Sequence, residues 1–447
     1  MNAVKVNFSN ITGLIRPLHG VNNCTRKALW EDLTDDFKAL KLPIVRLHDT
    51  GGEYGGSHYV DVPNIFPDFD ADVDDPESYD FTLTDIYLKY LVESGCEVMY
   101  RLGVTIEHAP KKYHIFPPKD PKKWAEICEH IVRHYNEGWA DGYRFGIKYW
   151  EIWNEPDGTD PYIETYGQPM WTGTPEQYYE LYSITANHLK KHHPDIRVGG
   201  YSSCMIRGSF TNGRWTVGVT GFHEGFFDYI TAEETRAPLD FFTWHTYLGH
   251  DDIPRINEDA KYARELLDRY GFTETENFNT EWNHYLSEDK LYRMELMKNE
   301  MGASHIAATM CEMQRAGLVD KAMFYAAGNN SGYNALYTSP GRRTTKSYHT
   351  FRLFGEVYEM KNECSVECSD KSLYTVAAAN KGEGVLMLVN PHSESRALAI
   401  ELSGLGVSEA QISVIDAERD GEALPIPVEA LSSIVLSPYS VTLIRVR

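Results

Sequence analysis

The sequence predicts a (β/α)8 barrel followed by a smaller β-rich module, and three observations lead there. β-Branched and aromatic runs alternate with segments of helical spacing about eight times before Leu353. Eight such units close a barrel more naturally than they build an open doubly wound sheet. Several of the runs stop at a polar group, which is where a parallel barrel carries its chemistry. Beyond about Val357 the spacing changes to short β-rich stretches separated by turns.

In chain order, Val4–Phe8 alternates like a strand, and Ile11–Leu18 is a weaker strand ending at His19-Gly20. Trp30–Leu42 has helical spacing, with Leu33, Phe37 and Leu40 on one face. Ile44–His48 is a strand that stops at Asp49-Thr50-Gly51-Gly52. A long polar loop to Tyr79 carries Asp68, Asp70, Asp72, Asp74 and Asp75. An EF-hand would need Gly at Val73 and Glu at Tyr79, so a solvated acidic loop is expected rather than calcium. Leu83–Ser94 is a helix closed by Gly95, and Glu97–Val104 a strand. Trp124–Tyr135 is a helix opened by Pro121; Lys148–Trp153 is a strand broken at Pro156. Thr174-Pro175-Glu176-Gln177 reads as a capping box for a helix running to His192. Strands at Ile196–Tyr201, Phe241–Tyr247, Phe278–Asn283 and Lys321–Ala326 alternate with helices at Asn257–Tyr270 and Met301–Ala316. The expected boundaries are a barrel over 11–354 and an antiparallel sandwich of about eight strands over 355–447, joined by an N-terminal strand within 1–10.

A formal charge of -22 would repel phosphate backbones, which argues against nucleic acid as a partner. Apolar content of 42% and charged content of 24% suit a globular enzyme. No apolar run approaches the roughly 20 residues that span a membrane, so no membrane partner is expected. Seven scattered cysteines favour a reducing compartment, and no basic–apolar leader is visible, so a cytoplasmic location is expected. Homo-oligomerisation is left open.

Two glutamates hold matching positions. Glu155 ends strand four in Tyr149-Trp150-Glu151-Ile152-Trp153-Asn154-Glu155-Pro156, and Glu281 ends strand seven in Phe278-Asn279-Thr280-Glu281-Trp282-Asn283. Strands four and seven face each other across a barrel mouth, and a carboxylate pair there suits glycosidic bond cleavage. Arg46 and His48 close strand two; His245 and Tyr247 close strand six, where a guanidinium and a phenol would hold Glu281 ionised and oriented. His19 and His108 also fall near strand ends and are candidates to line the pocket. No metal-binding spacing is present, and no metal or cofactor is expected.

These residues resemble glycoside hydrolase family 39, a clan A family of β-xylosidases, α-L-iduronidases and relatives. The likeness extends from about Phe37 to Leu353 through Gly95-Cys96-Glu97-Val98-Met99, the Asn154-Glu155-Pro156 strand, Arg197-Val198-Gly199-Gly200, Leu239–Tyr247, Thr280-Glu281-Trp282-Asn283 and Tyr348–Leu353. The resemblance implies Glu155 as acid/base, Glu281 as nucleophile, and Asn154 holding a sugar hydroxyl. It also implies an oligosaccharide or glycoside partner, with Arg46, His48, His108, His245, Tyr247, Trp171, Trp282 and Tyr325 around the sugar. The expected activity is retaining, exo-acting hydrolysis of plant-type oligosaccharides, most simply of a pentoside. The alternatives are an endo-acting or transglycosylating enzyme, or a non-catalytic carbohydrate-binding barrel.

The chain departs from the family pattern at the sugar-recognition rim. Strand eight reads Met323-Phe324-Tyr325-Ala326-Ala327-Gly328-Asn329-Asn330, without the usual acidic segment. Arg101 stands where Glu is common, Asp157 replaces Asn, and Trp171 is the substitute for a missing Phe-Trp. Arg46 and Arg101 raise a uronate as an alternative substrate.

Overall fold

A computed structural model describes residues 2–24, 32–48, 50, 58–105, 112–159, 170–207, 209–211, 214–216, 220–249, 252–287, 289–327, 333–338 and 343–447. The first strand, β1 (Asn2–Leu14), belongs to the accessory sheet. There follow β2 (Gly20–Asn22), α1 (Thr34–Ala39), β3 (Ile44–Leu47), α2 (Val62–Ile65), α3 (Thr82–Glu93) and β4 (Glu97–Leu102). Next come α4 (Pro121–Asn136), β5 (Tyr149–Ile152), α5 (Pro175–His192) and β6 (Arg197–Ser203). A small hairpin, β7 (Ser209–Thr211) and β8 (Arg214–Thr216), precedes α6 (Thr220–Thr231), β9 (Phe241–Gly249), α7 (Arg255–Arg269) and β10 (Glu276–Tyr285). The barrel part ends with α8 (Lys290–Leu296), α9 (Glu300–Ala316), β11 (Lys321–Phe324) and α10 (Lys346–Glu359).

Eight strands close the barrel in the order β10-β11-β2-β3-β4-β5-β6-β9. Neighbouring strands run parallel, and their register aligns side chains in rows across the interior. One row is Arg101–Glu151–Gly199 on β4, β5 and β6. Gly199 is required there, because a Cβ would lie 2.0 Å from the Phe241 carbonyl oxygen. Helix ends follow local chemistry. Thr174 Oγ1 accepts from Gln177 N at 3.3 Å and Gln177 Oε1 accepts from Thr174 N at 2.9 Å, the capping box expected for α5. Gly95 takes φ +84 just past α3, as a helix-stopping glycine should.

Some element boundaries differ from expectation. The segment read as one weak strand to Leu18 is divided: β1 runs to Leu14 in the accessory sheet, and barrel strand one is only Gly20–Asn22. His19 therefore stands before strand one, not after it. Its Nε2 contacts the Lys41 carbonyl at 3.0 Å, its ring packs against Phe354 and Tyr358, and burial lowers its pKa to about 3. The acidic loop contains α2 and a single turn at Pro76–Ser78, and Asp68, Asp72 and Asp75 accept from backbone N–H groups two residues on.

The remaining strands are β12 (Asn362–Cys368), β13 (Tyr374–Asn380), β14 (Glu383–Asn390), β15 (Arg396–Ser403), β16 (Ala410–Ile415), β17 (Asp420–Ile426), β18 (Ile434–Leu436) and β19 (Ser440–Val446). With β1 they form one nine-stranded sheet in the order β17-β16-β19-β14-β13-β12-β1-β15-β18. Its pairings are antiparallel except β1 with β15, which is parallel. Ala410 on β16 and Leu398 and Ile400 on β15 share a single core with Val4, Val6, Leu386, Leu388 and Ile444. Strands so far apart in the order meet over one core only because the sheet curls on itself. Helices α9 and α10 lie in the same compact unit as this sheet. Arg445 Nε donates to Glu356 Oε2 at 2.6 Å, and Arg352 Nη2 to the Gly421 carbonyl at 2.7 Å. Among the described residues no helix is long and apolar enough to cross a membrane.

Because β1 is an interior strand of this sheet, deleting residues 2–14 exposes the facing edges of β12 and β15 and their apolar core. We expect loss of soluble protein, measured as soluble yield beside the full chain.

Candidate active site

The site grows from a buried cation. Arg46, in β3, is fully buried, which is tolerable only if its donors are matched. Its Nε donates to Glu151 Oε2 at 2.6 Å and its Nη1 to Glu281 Oε1 at 2.9 Å. Its Nη2 donates to Asn154 Oδ1 at 2.5 Å and to Ser202 Oγ at 3.0 Å. Burial opposes the cation, yet the charges and hydrogen bonds of Glu151 and Glu281 outweigh it and raise the Arg46 pKa. Ser202 Oγ in turn donates to Glu151 Oε1 at 2.5 Å. One guanidinium thus ties together residues from β3, β5, β6 and β10.

Glu281 is 3% exposed. Besides Arg46, it has His48 Nε2 at 3.4 Å from Oε1 and His245 Nδ1 at 3.7 Å from Oε2. The same His245 Nδ1 lies 2.7 Å from Glu155 Oε1. The nearest ligand-type atoms of Glu155, His245 and Glu281 all fall within 4.8 Å of one another. Such a donor set also suits a cation, but the Arg46 guanidinium already supplies positive charge to Glu281.

Protonation follows from burial. Desolvation raises Glu155 to about 7, against the opposing charges of Arg46 and Lys112. Its side chain keeps 15% exposure, so it stands at the open side of the group. Desolvation lowers His245 to about 4, so at neutral pH the imidazole is uncharged. Asp157 is also raised to about 7 by desolvation; it accepts from Ser203 Oγ at 2.6 Å and from Cys204 N at 3.0 Å, bracing the turn after Glu155.

The backbone here is unusual. Trp153, Glu155 and Ser202 have φ of +71, +48 and +58, a region that non-glycine residues rarely occupy. Trp153 N donates to the Leu102 carbonyl at 2.7 Å and Glu155 N to the Ser202 carbonyl at 3.0 Å, which fixes both strained residues.

Other expected site residues are distributed differently. Trp171 is fully buried, edge-on to Trp153 and Tyr178, with its indole N–H donated to the Thr174 carbonyl at 3.0 Å; it is packing behind the strand, not a sugar platform. Trp282 is fully buried and packs edge-on against Phe324 at 5.1 Å. Successive strand residues face opposite ways, so Trp282 turns away from the side on which Glu281 lies. Tyr247 joins Tyr285 and Tyr333, with ring centroids at 5.8 and 5.6 Å, and Tyr325 lies 5.6 Å from Tyr333. Arg101 is held by Asp61 at 2.8 Å. His108, Asn329 and Asn330 lie outside the described residues. Glu151, Ser202 and Lys112 were not singled out from the sequence. Only Glu151 carried a signal, a charge in the middle of an otherwise apolar strand.

A closed parallel barrel thus gathers two carboxyl groups and an imidazole beside a buried arginine. The family model for glycosyl hydrolases family 39 matches residues 21–316. The chain belongs to that family. A curated β-xylosidase of Caldicellulosiruptor saccharolyticus is 25% identical over 230 residues, covering 46% of this chain and 41% of that protein. A β-xylosidase of Geobacillus stearothermophilus is 26% identical over 221 residues, covering 45% of this chain and 37% of that protein. The match thus spans less than half the length of either relative. A solved glucosidase from Croceicoccus marinus shares the fold with TM-score 0.77 at 22% identity, over 100% of this chain and 98% of that one.

The charges predict stability effects of opposite sign. Glu155 binds its proton more tightly folded than unfolded, so its contribution is complete below about 4.5 and is lost as pH rises through about 7. Glu155→Gln should therefore be more stable than wild type above pH 7, by up to roughly 3 kcal/mol, and converge with it in acid. Arg46→Met, which strands Glu151 and Glu281, should lose about 3–5 kcal/mol. Thermal unfolding across pH tests both.

Proposed function

We propose that the chain is a retaining glycoside hydrolase, with Glu155 as general acid/base and Glu281 as nucleophile. The observation that carries this is the closeness of the two carboxyl groups, with ligand-type oxygens within 4.8 Å. Retention calls for carboxyl groups about 5–5.5 Å apart, whereas inversion needs about 6.5–9.5 Å to admit a water. In the first step Glu281 attacks the anomeric carbon while the Glu155 proton passes to the glycosidic oxygen, and the leaving alcohol departs. In the second, Glu155 takes a proton from water, whose oxygen attacks the anomeric carbon and releases Glu281.

The surroundings support these roles. Arg46 and His48 orient Glu281 through one oxygen, and neutral His245 contacts both carboxyl groups without competing for the acid's proton. Asn154 Oδ1 is bound to Arg46 while its Nδ2 is buried without a partner, which leaves a donor for a sugar hydroxyl.

The substrate we assign is the non-reducing end of a plant-type oligosaccharide, with release of a neutral terminal pentose. The relatives named β-xylosidase support a pentoside; the fold neighbour named glucosidase makes a glucoside the second choice. We place the reaction in the cytoplasm, a reducing setting that suits seven free cysteines.

A screen of nitrophenyl xyloside, arabinosides, glucoside and uronides tests the sugar. Release of only internal fragments from xylan would overturn the exo assignment. Glu281→Ala should abolish turnover. Glu155→Gln should lose far more, about 10²–10⁴-fold, on an alkyl glycoside than on a nitrophenyl glycoside, whose leaving group needs little protonation. Equal losses would remove Glu155 from the acid role.

Activity should also fall as pH rises through about 7, where Glu155 gives up its proton. A profile flat from pH 6 to 9 would contradict that assignment.

A further inference from the structure

Three arginines are buried among the described residues, and two of them are matched by carboxylates. Arg46 has Glu151 and Glu281, and Arg101 has Asp61. Arg293, on α8, is the third, with 9% exposure. Its guanidinium carbon lies 4.3 Å from the centre of the Tyr285 ring and 6.0 Å from that of Tyr333. Its Nε is buried without a hydrogen-bond partner. Among the described residues no carboxylate forms an ion pair with it. The acid best placed to do so, Asp289 one turn earlier, caps α8 instead, accepting from Leu291 N at 2.9 Å and Tyr292 N at 3.0 Å.

A guanidinium sheltered this far from water is unfavourable unless an anion compensates it. Ring faces can attract the cation but do not neutralise it. A ring 4.3 Å away shelters the cation without using its N–H groups, a fork that fits a carboxylate through two parallel hydrogen bonds. The adjoining walls are aromatic: Tyr285 and Tyr333 meet through their hydroxyls at 2.9 Å, and Tyr247 lies against both rings. Such walls favour a ligand that has apolar C–H faces as well as a negative edge.

We propose that Arg293, with Tyr285 and Tyr333, is a binding site for the carboxylate of an acidic sugar unit. The sugar part of this assignment rests on the glycoside hydrolase reading; the carboxylate part rests on Arg293 alone. It also relocates acid recognition. Arg46 and Arg101, the arginines that first suggest a uronate in the sequence, both spend their charge on internal carboxylates.

Calorimetric titration of the full chain with D-glucuronate, its methyl ester and inorganic phosphate tests the site without relying on turnover. We expect saturable binding of glucuronate, with the ester and phosphate at least about tenfold weaker, as for loss of a charge-assisted hydrogen-bond pair. Arg293→Met should weaken glucuronate by a similar factor. Arg293→Lys, which keeps the charge and loses the fork, should fall between. The Tm of Arg293→Met should equal or exceed that of wild type, because an unpaired buried charge has been removed. Undiminished glucuronate binding by Arg293→Met would overturn the proposal, as would phosphate binding as tightly as glucuronate. A fall in Tm with binding intact would make Arg293 structural only. If glucuronate binds at Arg293 while the wild type hydrolyses none of the aryl glycosides, the hydrolase reading fails and the carboxylate site stands.

Discussion

The paired charge of Arg46 is the constraint on which the candidate site depends. A fully buried guanidinium must find acceptors, and here they include Glu281 and Asn154, which the proposed chemistry uses. Asn154 precedes Glu155, so holding Asn154 also holds the turn from which Glu155 projects. Glu281 is held directly. Glu151 and Ser202 touch no reacting group, yet they complete the hydrogen bonding of the cation and of each other. Together the four strands behave as a clamp whose pin is Arg46.

Around that pin the site separates two carboxyl groups by environment. Glu281 lies against the guanidinium, whereas Glu155 receives an uncharged imidazole and a partial opening to solvent. Close pairs of carboxyls with such unequal surroundings divide the roles of acid and nucleophile between them. The left-handed backbone at Trp153 and Glu155 belongs to the same design: it aims the carboxyl at the group gathered around Glu281 instead of along the strand.

Much of this was legible before any coordinates. Glu155 and Glu281 are charged groups at the ends of apolar runs, and the runs themselves had the right period. Arg46, His48 and His245 stood at strand ends for the same reason, and they do gather around the two glutamates. Other features were hidden by physics that spacing does not report. Gly20–Asn22 is too short for any periodicity, so strand one was placed early and His19 was put at the wrong end of it. Trp282 was expected around the sugar, although period-2 alternation turns it away from Glu281. Trp171 was read by its chemistry without its burial. Ser202 gave no signal, since a serine in a glycine- and serine-rich strand looks like any other.

The interior place of β1 has a consequence for biosynthesis. Val4 lies opposite Cys368 on one side and Ile400 on the other. β1 therefore pairs only with strands made after the whole barrel part of the chain. At about 5–20 residues per second, it waits on the order of tens of seconds with its apolar face unsatisfied, while the barrel forms from the chain between. The barrel can assemble vectorially, but β1 can pair only once β12 and β15 have been made. A ribosome stalled before β12 would thus hold an assembled barrel and an unpaired β1, a form exposed to aggregation.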